Sequence, residues 1–188
     1  LQLDNYYNAI KAMQTANILK CNVFVGSGSQ AEYGRCTGKI TEEYIPNPIT
    51  EYGKAKLKSY YSLNNLAKEN NIKFIWTRIF SVYGRYDFEG TLVMSALKKL
   101  IRGEDLQLTE CKQSWDFIHV KDVARAMYML GTSECEAGIY NIASGNSKQL
   151  KDYVLDMKKI TNSSSKLEFG AIKYGSEGVV SFEPVVDK

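Results

Sequence analysis

The sequence contains one histidine, His119, and its four cysteines, Cys21, Cys36, Cys111 and Cys135, include no Cys-x-x-Cys pair. Zinc sites built from Cys and His draw their ligands from closely spaced pairs, so no metal is expected. Scattered thiols of this kind read as reduced side chains, which points to a cytoplasmic protein. Long apolar runs are missing as well. No stretch approaches the roughly 18–20 apolar residues that span a bilayer, and no signal-peptide pattern is present. Charge of one sign is also scarce, since 24 Lys and Arg face 21 Asp and Glu, and the basic residues are interspersed rather than clustered. Nucleic acid and membrane are therefore not expected partners. The opening Leu1-Gln2-Leu3-Asp4 has no initiator methionine and reads as the inside of a longer chain.

What is present is an alternation of helical and β patterns. A 44% hydrophobic share allows a well-buried core. Apolar residues recur at helical spacing over 5–20, and Cys21 to Val25 is a short β-rich run ending in Gly26-Ser27-Gly28-Ser29. Residues 30–49 are polar and broken by Gly and Pro, as in a surface loop. A helix is predicted over 51–68, and Ile72 to Ile79 forms a second strand that stops at Ser81-Val82-Tyr83-Gly84. This rhythm predicts an α/β fold with a parallel sheet covered on both faces. Ligands in such sheets bind beyond the carboxyl ends of the strands, which is where both Ser/Gly turns stand. After Gly84 the elements become shorter and mixed: helices over 91–101, 122–130 and 150–160, and strands over 106–108, 115–120, 138–143 and 167–169.

Tyr52 and Lys56 stand four apart near the start of the predicted second helix, so a phenol and an ammonium share one face. A free phenol ionises near pH ~10 and is a poor proton shuttle at neutrality. An adjacent ammonium favours the phenolate and brings proton transfer into a useful range. Alone, Tyr-x-x-x-Lys is a weak pattern, and by itself a solvated helix face is the better reading of it. Elsewhere the plain readings are structural: Arg78 as a buried, paired cation, His119 as a strand-end residue, and Asp122 as a helix N-cap.

Four blocks give Tyr52 and Lys56 a context. They are Val25-Gly26-Ser27-Gly28-Ser29-Gln30-Ala31-Glu32-Tyr33-Gly34, Tyr52-Gly53-Lys54-Ala55-Lys56, Thr77-Arg78-Ile79-Phe80-Ser81-Val82-Tyr83-Gly84, and Gln113-Ser114-Trp115-Asp116-Phe117-Ile118-His119-Val120-Lys121-Asp122. In this order and at these separations they resemble the extended short-chain dehydrogenase/reductase family of nucleotide-sugar epimerases, dehydratases and ketoreductases. The resemblance implies a partial Rossmann-like, doubly wound parallel sheet with a small mixed α/β substrate lobe. It implies NAD or NADP as cofactor, a nucleotide sugar as substrate, and a homodimer formed through the helices at 5–20 and 51–68. It further implies Ser29, Tyr52 and Lys56 as the catalytic set, Tyr52, Lys56 and Phe80 at the cofactor, and Ser29, Ser81, Arg85 and Gln107 at the substrate.

Departures from the family pattern narrow the reaction. Gln30-Ala31 stands where the dehydratases carry Asp-Glu, which argues against loss of water. Ser81 replaces an Asn common in epimerases, and Trp115 replaces an Arg, removing a diphosphate contact for which Arg85 or Arg102 is the substitute on offer. No helix follows Gly26-Ser27-Gly28, so it is not a dinucleotide-binding turn, and the family places that turn ahead of these strands. The expected organisation is therefore residues 1–84 as the later part of a dinucleotide-binding domain and 85–188 as mainly a substrate lobe, with 114–131 packing back. On this reading the chain is cut at both ends and inactive alone. The expected activity is NAD(P)-dependent 4-epimerisation, with NADPH-dependent reduction of a 4-keto-6-deoxysugar as one alternative and a non-catalytic binding or scaffold domain as another.

Overall fold

A computed structural model describes residues 2–36, 38–175 and 180–187. In chain order its elements begin with helix α1 (Gln2–Ile18), strand β1 (Val23–Ser27), a 3₁₀ turn (Gln30–Glu32) and strand β2 (Lys39–Ile40). Helix α2 (Glu51–Glu69) leads into β3 (Lys73–Ile79) and β4 (Ser81–Tyr83). Then come α3 (Leu92–Arg102), β5 (Leu106–Leu108), β6 (Ser114–Trp115), β7 (Phe117–His119) and α4 (Val120–Thr132). Strands β8 (Gly138–Ile142) and β9 (Lys148–Gln149), helix α5 (Leu150–Ile160), β10 (Leu167–Phe169) and β11 (Glu183–Pro184) complete the chain.

The central sheet has the order β1-β3-β8 and is parallel throughout. Strand β3 is buried from Phe74 to Arg78, which is why Lys73-Phe-Ile-Trp-Thr-Arg-Ile79 lacks the polar alternation of a half-exposed strand. Helices α1 and α2 cover one face through Met13, Leu63, Ala67, Phe74 and Trp76. Helix α4 covers the other: Val25 follows Phe24 and so points to the opposite face, and its methyl lies beside Gly131. A separate core of Ala96, Leu100, Leu106, Leu108, Leu150 and Val154 holds α3, β5 and α5 together. The doubly wound α/β sheet with a smaller mixed lobe is thus the architecture observed.

Several local details differ from the sequence reading. The segment 30–49 contains the 3₁₀ turn and β2, which pairs in parallel with β11, a long-range contact that local pattern cannot reveal. The expected strand over 115–120 is two strands, because the Asp116 carboxylate turns inward to accept from Ser144 N, Ser144 Oγ and Asn146 N at 2.7, 2.9 and 3.1 Å. Asp122 is not the cap of α4. His119 is, its Nδ1 accepting from Lys121 N at 3.2 Å, which places Asp122 in the first turn. Strand β8 also joins the central sheet, beside β3.

Candidate active site

The turn after β1 is built around a buried carboxylate. Ser29 opens the 3₁₀ turn as its N-cap: its Oγ accepts from Ala31 N at 3.2 Å while its own N–H donates to Glu32 Oε1 at 2.8 Å. Glu32 is fully buried and also receives Trp76 Nε1 at 3.1 Å and Arg78 Nε at 3.0 Å. Arg78 in turn lies 4.4 Å over the Tyr33 ring, and Tyr33 Oη donates to Asn141 Oδ1 at 2.6 Å. Burial pushes the Tyr33 phenol up to about 12, with Arg78 pulling the other way. Gly28 is required here, since a Cβ would overlap both the Trp76 indole and the Glu32 carboxylate. The reading of Arg78 as a buried, paired cation is borne out. Glu32 was missed, although Ser29-x-x-Glu32 carries the spacing of a capping box.

Helix α2 starts against this turn. Thr50 Oγ1 accepts from Gly53 N at 3.0 Å, and the missing side chain of Gly53 lets the helix approach the Ala31 carbonyl, which a Cβ would overlap. Tyr52 is 39% exposed, which leaves its ring reachable by a ligand. One turn on, Lys56 Nζ donates to the Ser27 carbonyl at 2.8 Å and lies 5.8 Å from the Tyr52 ring centroid. Burial holds the Lys56 ammonium below its ordinary range, with the Glu32 carboxylate opposing that shift. Ser29, Tyr52 and Lys56 therefore belong to one junction, between the carboxyl end of β1 and the amino end of α2. Lys56 and Ser27 also line a hollow of about 200 Å³ closed by Gln2, Asn5 and Tyr6 of α1.

Ser81, at the start of β4, carries a second cluster. Its Oγ accepts from Gln30 Nε2 at 3.0 Å and from Trp115 Nε1 at 2.7 Å. Gln30 Oε1 is buried with no partner. Ser81 and Trp115 sit on the wall of a cavity of about 310 Å³ whose apolar lining includes Val82, Leu92, Phe117 and Leu150. Gln30 follows Ser29 directly, so its hydrogen bond to Ser81 links the wall of this cavity to the Ser29 turn.

The remaining candidates stand apart. The Phe80 ring is buried against Tyr33 and Phe182, with centroids at 6.2 and 5.9 Å, so Phe80 can offer a ligand only its main chain. Arg85 is exposed, its guanidinium 4.8 Å over the Tyr86 ring, and lines a different hollow with Asp87 and Val120. Gln107 is exposed between buried Leu106 and Leu108, its Nε2 donating to Glu168 Oε2 at 3.2 Å, and does not reach the Ser81 cavity. Arg102 is exposed with Glu104 3.8 Å away. Among the described residues no cluster of His, Cys, Asp and Glu is arranged to hold a metal, and no helix is long and apolar enough to cross a membrane.

A family model, the NAD dependent epimerase/dehydratase family, matches residues 4–143. CDP-abequose synthase of Salmonella muenchen is 32% identical over 122 residues, which cover 63% of this chain and 42% of that one. The dTDP-4-dehydro-6-deoxyglucose reductase of Escherichia coli is 27% identical over 151 residues, 78% of this chain and 48% of that one. The fold matches UDP-N-acetylglucosamine 4-epimerase of Methanobrevibacter ruminantium M1 with a TM-score of 0.88 at 18% identity, covering 95% of this chain and 59% of that one. The chain spans about half the length of the curated relatives it matches.

Proposed function

This chain belongs to the NAD dependent epimerase/dehydratase family, and from that premise we propose that the protein carrying it is an NAD(P)-dependent nucleotide-sugar 4-epimerase. The observation that carries the reading is the Lys56 ammonium, desolvated, tied to the Ser27 carbonyl and sharing a helix face with Tyr52 beside the Ser29 turn. Tyr52 exchanges the proton on the sugar oxygen that alternates between alcohol and ketone. The Ser29 hydroxyl accepts from Ala31 N and keeps its own hydrogen to donate to that same oxygen. Lys56 commits one of its three N–H donors to Ser27, which leaves two for the cofactor ribose and for stabilising the Tyr52 phenolate. Two unspent donors on a fixed ammonium fit a ribose diol, and the Phe80 main chain completes this chain's side of the cofactor site. When bound, the dinucleotide supplies or takes up the hydride.

In this reading the substrate lies across the Ser81 cavity, and Arg85 and Gln107, which face other surfaces, stay outside it. Residues 1–84 serve the cofactor and proton exchange, and 85–188 mainly the sugar nucleotide, with 114–131 packing on the sheet and β8 joining it. The exposed faces of α1 and α2, where Tyr7 and Tyr61 are more than half exposed, supply the surface for a homodimer. The Gln30 amide is engaged with Ser81 and offers no acid or base for dehydration.

A second reading, NADPH-dependent reduction of a nucleotide-linked 4-keto-6-deoxysugar, draws support from the 27% identity to a 4-dehydro-6-deoxyglucose reductase. The two separate on purification: an epimerase retains bound NAD, whereas a reductase consumes NADPH. In either case Tyr52→Phe is expected to lower turnover by about 10²–10⁴-fold with nucleotide-sugar affinity unchanged. A Tyr52→Phe variant as active as the parent would overturn both.

A further inference from the structure

Gln30, Ser81 and Trp115, three positions at which the sequence departs from the family pattern it resembles, are joined through Ser81, which is hydrogen-bonded to both of the others. We propose that they form one specificity-determining subsite, which takes a neutral sugar through a hydroxyl and rejects a sugar carboxylate. The proposal rests on the nucleotide-sugar reading above and deepens it. Ser81 Oγ already accepts two hydrogen bonds, from Gln30 Nε2 at 3.0 Å and Trp115 Nε1 at 2.7 Å. Both its lone pairs are used, so its own proton is left to donate. Beside it, Gln30 Oε1 is a buried acceptor with no partner, a state that carries a desolvation cost until a donor arrives. Ser81 brings this donor to the cavity wall, and the Gln30 acceptor lies buried behind it.

Turning the Gln30 amide over does not alter that count. Ser81 would then donate to Gln30 Oε1 and keep a lone pair, and the unpaired group would be the Gln30 NH₂ donor. A hydroxyl, which donates and accepts at once, satisfies the pair in either orientation, with the amide free to turn toward it. A carboxylate satisfies only the donor and faces the carbonyl of the amide. The cavity adds a second constraint. Its polar lining, Ser81, Thr91, Gln113 and Trp115, carries no charge, and the rest is apolar. An anionic sugar would be desolvated there without a counter-charge. Trp115, where the family resemblance implies an arginine, gives Ser81 an indole N–H at 2.7 Å and brings no cation.

UDP-glucose and UDP-glucuronic acid differ only in whether carbon 6 bears a hydroxyl or a carboxylate, and UDP alone lacks the sugar. The two tryptophans, Trp76 and Trp115, give two indole N–H resonances in the ¹⁵N-labelled protein, distinguished by Trp115→Phe. UDP-glucose is expected to move the Trp115 resonance and to bind at least 10-fold more tightly than UDP-glucuronic acid. Gln30→Leu and Ser81→Ala are each expected to weaken UDP-glucose about 10-fold and leave UDP unchanged, with the buried Trp76 resonance unmoved as a check on folding. Equal or tighter binding of UDP-glucuronic acid overturns the proposal, as does a Trp115 resonance indifferent to both sugars. None of these readouts requires turnover. Their failure is therefore distinct from a Tyr52→Phe variant that stays active.

Discussion

Tyr33 shows how a single side chain links the Ser29 turn to the sheet. Its hydroxyl donates to Asn141 Oδ1 on β8, and its ring lies under the Arg78 guanidinium. Tyr33→Phe leaves that amide oxygen buried without its donor, a loss of about 1–3 kcal/mol in stability at neutral pH, read from urea melts. The phenol also sets an alkaline limit. Its folded-state pKa is pushed from 10.0 up to about 12 by burial, so between these values the folded chain keeps a proton that the unfolded chain has lost. The associated stability is complete below pH 10 and lost as pH rises toward 12. Parent protein should therefore lose stability more steeply than Tyr33→Phe across that window, and parallel slopes would refute the assignment. At this scale the sequence was legible wherever a residue type has one common fate. Arg78 at the end of an apolar strand had to be paired. Its partner Glu32 lay hidden in a polar stretch, because burial of this carboxylate is decided by Trp76 and Arg78, 44 and 46 residues later, and not by its neighbours.

Between elements, α2 closely approaches the 3₁₀ turn, and Gly53 permits it. Gly53→Ala sets a methyl on the Ala31 carbonyl oxygen, so the helix or the turn must retreat. Overpacking of this kind costs about 1–3 kcal/mol. Because Tyr52 precedes Gly53 and Ser29 opens the turn, turnover should fall along with Tm. Lys54→Ala, which removes only an exposed pair with Glu51, should change neither by more than a few tenths of a kcal/mol, about the worth of a surface ion pair. Equal effects from the two substitutions would remove the close approach as an explanation. Strands β1 and β3 and helix α2 could be read from the chain because their patterns repeat over whole elements. The break at Asp116 and the β2–β11 pairing could not, since each depends on a residue or strand distant in sequence.

The molecule as a whole has two larger cores, one under α1 and α2 against the sheet and one holding α3, β5 and α5, with smaller apolar clusters around Phe80 and Phe182 and around Ile118 and Ile142. The contacts that join the two parts near the proposed site are both polar, Ser81 with Trp115 and Gln30 and Asp116 with the loop after β8, and aromatic, the Phe182 ring lying 5.9 Å from Phe80 and 5.1 Å from Trp115. Elements that share a core tend to open together. Native-state hydrogen exchange should therefore find 92–110 and 150–169 exchanging as one unit, at lower free energy than the strands of the β1-β3-β8 sheet. A nucleotide sugar seated in the Ser81 cavity touches both parts, at Ser81 and Val82 on one side and Thr91, Leu92 and Leu150 on the other. Binding only the closed arrangement stabilises it by about 2.7 kcal/mol at 100-fold excess over Kd. Saturating UDP-glucose should accordingly slow exchange in the lobe unit toward that of the sheet, and UDP alone should do so less. Uniform exchange across all elements without ligand would mean one cooperative body, and the division near residue 84 would then have no energetic meaning.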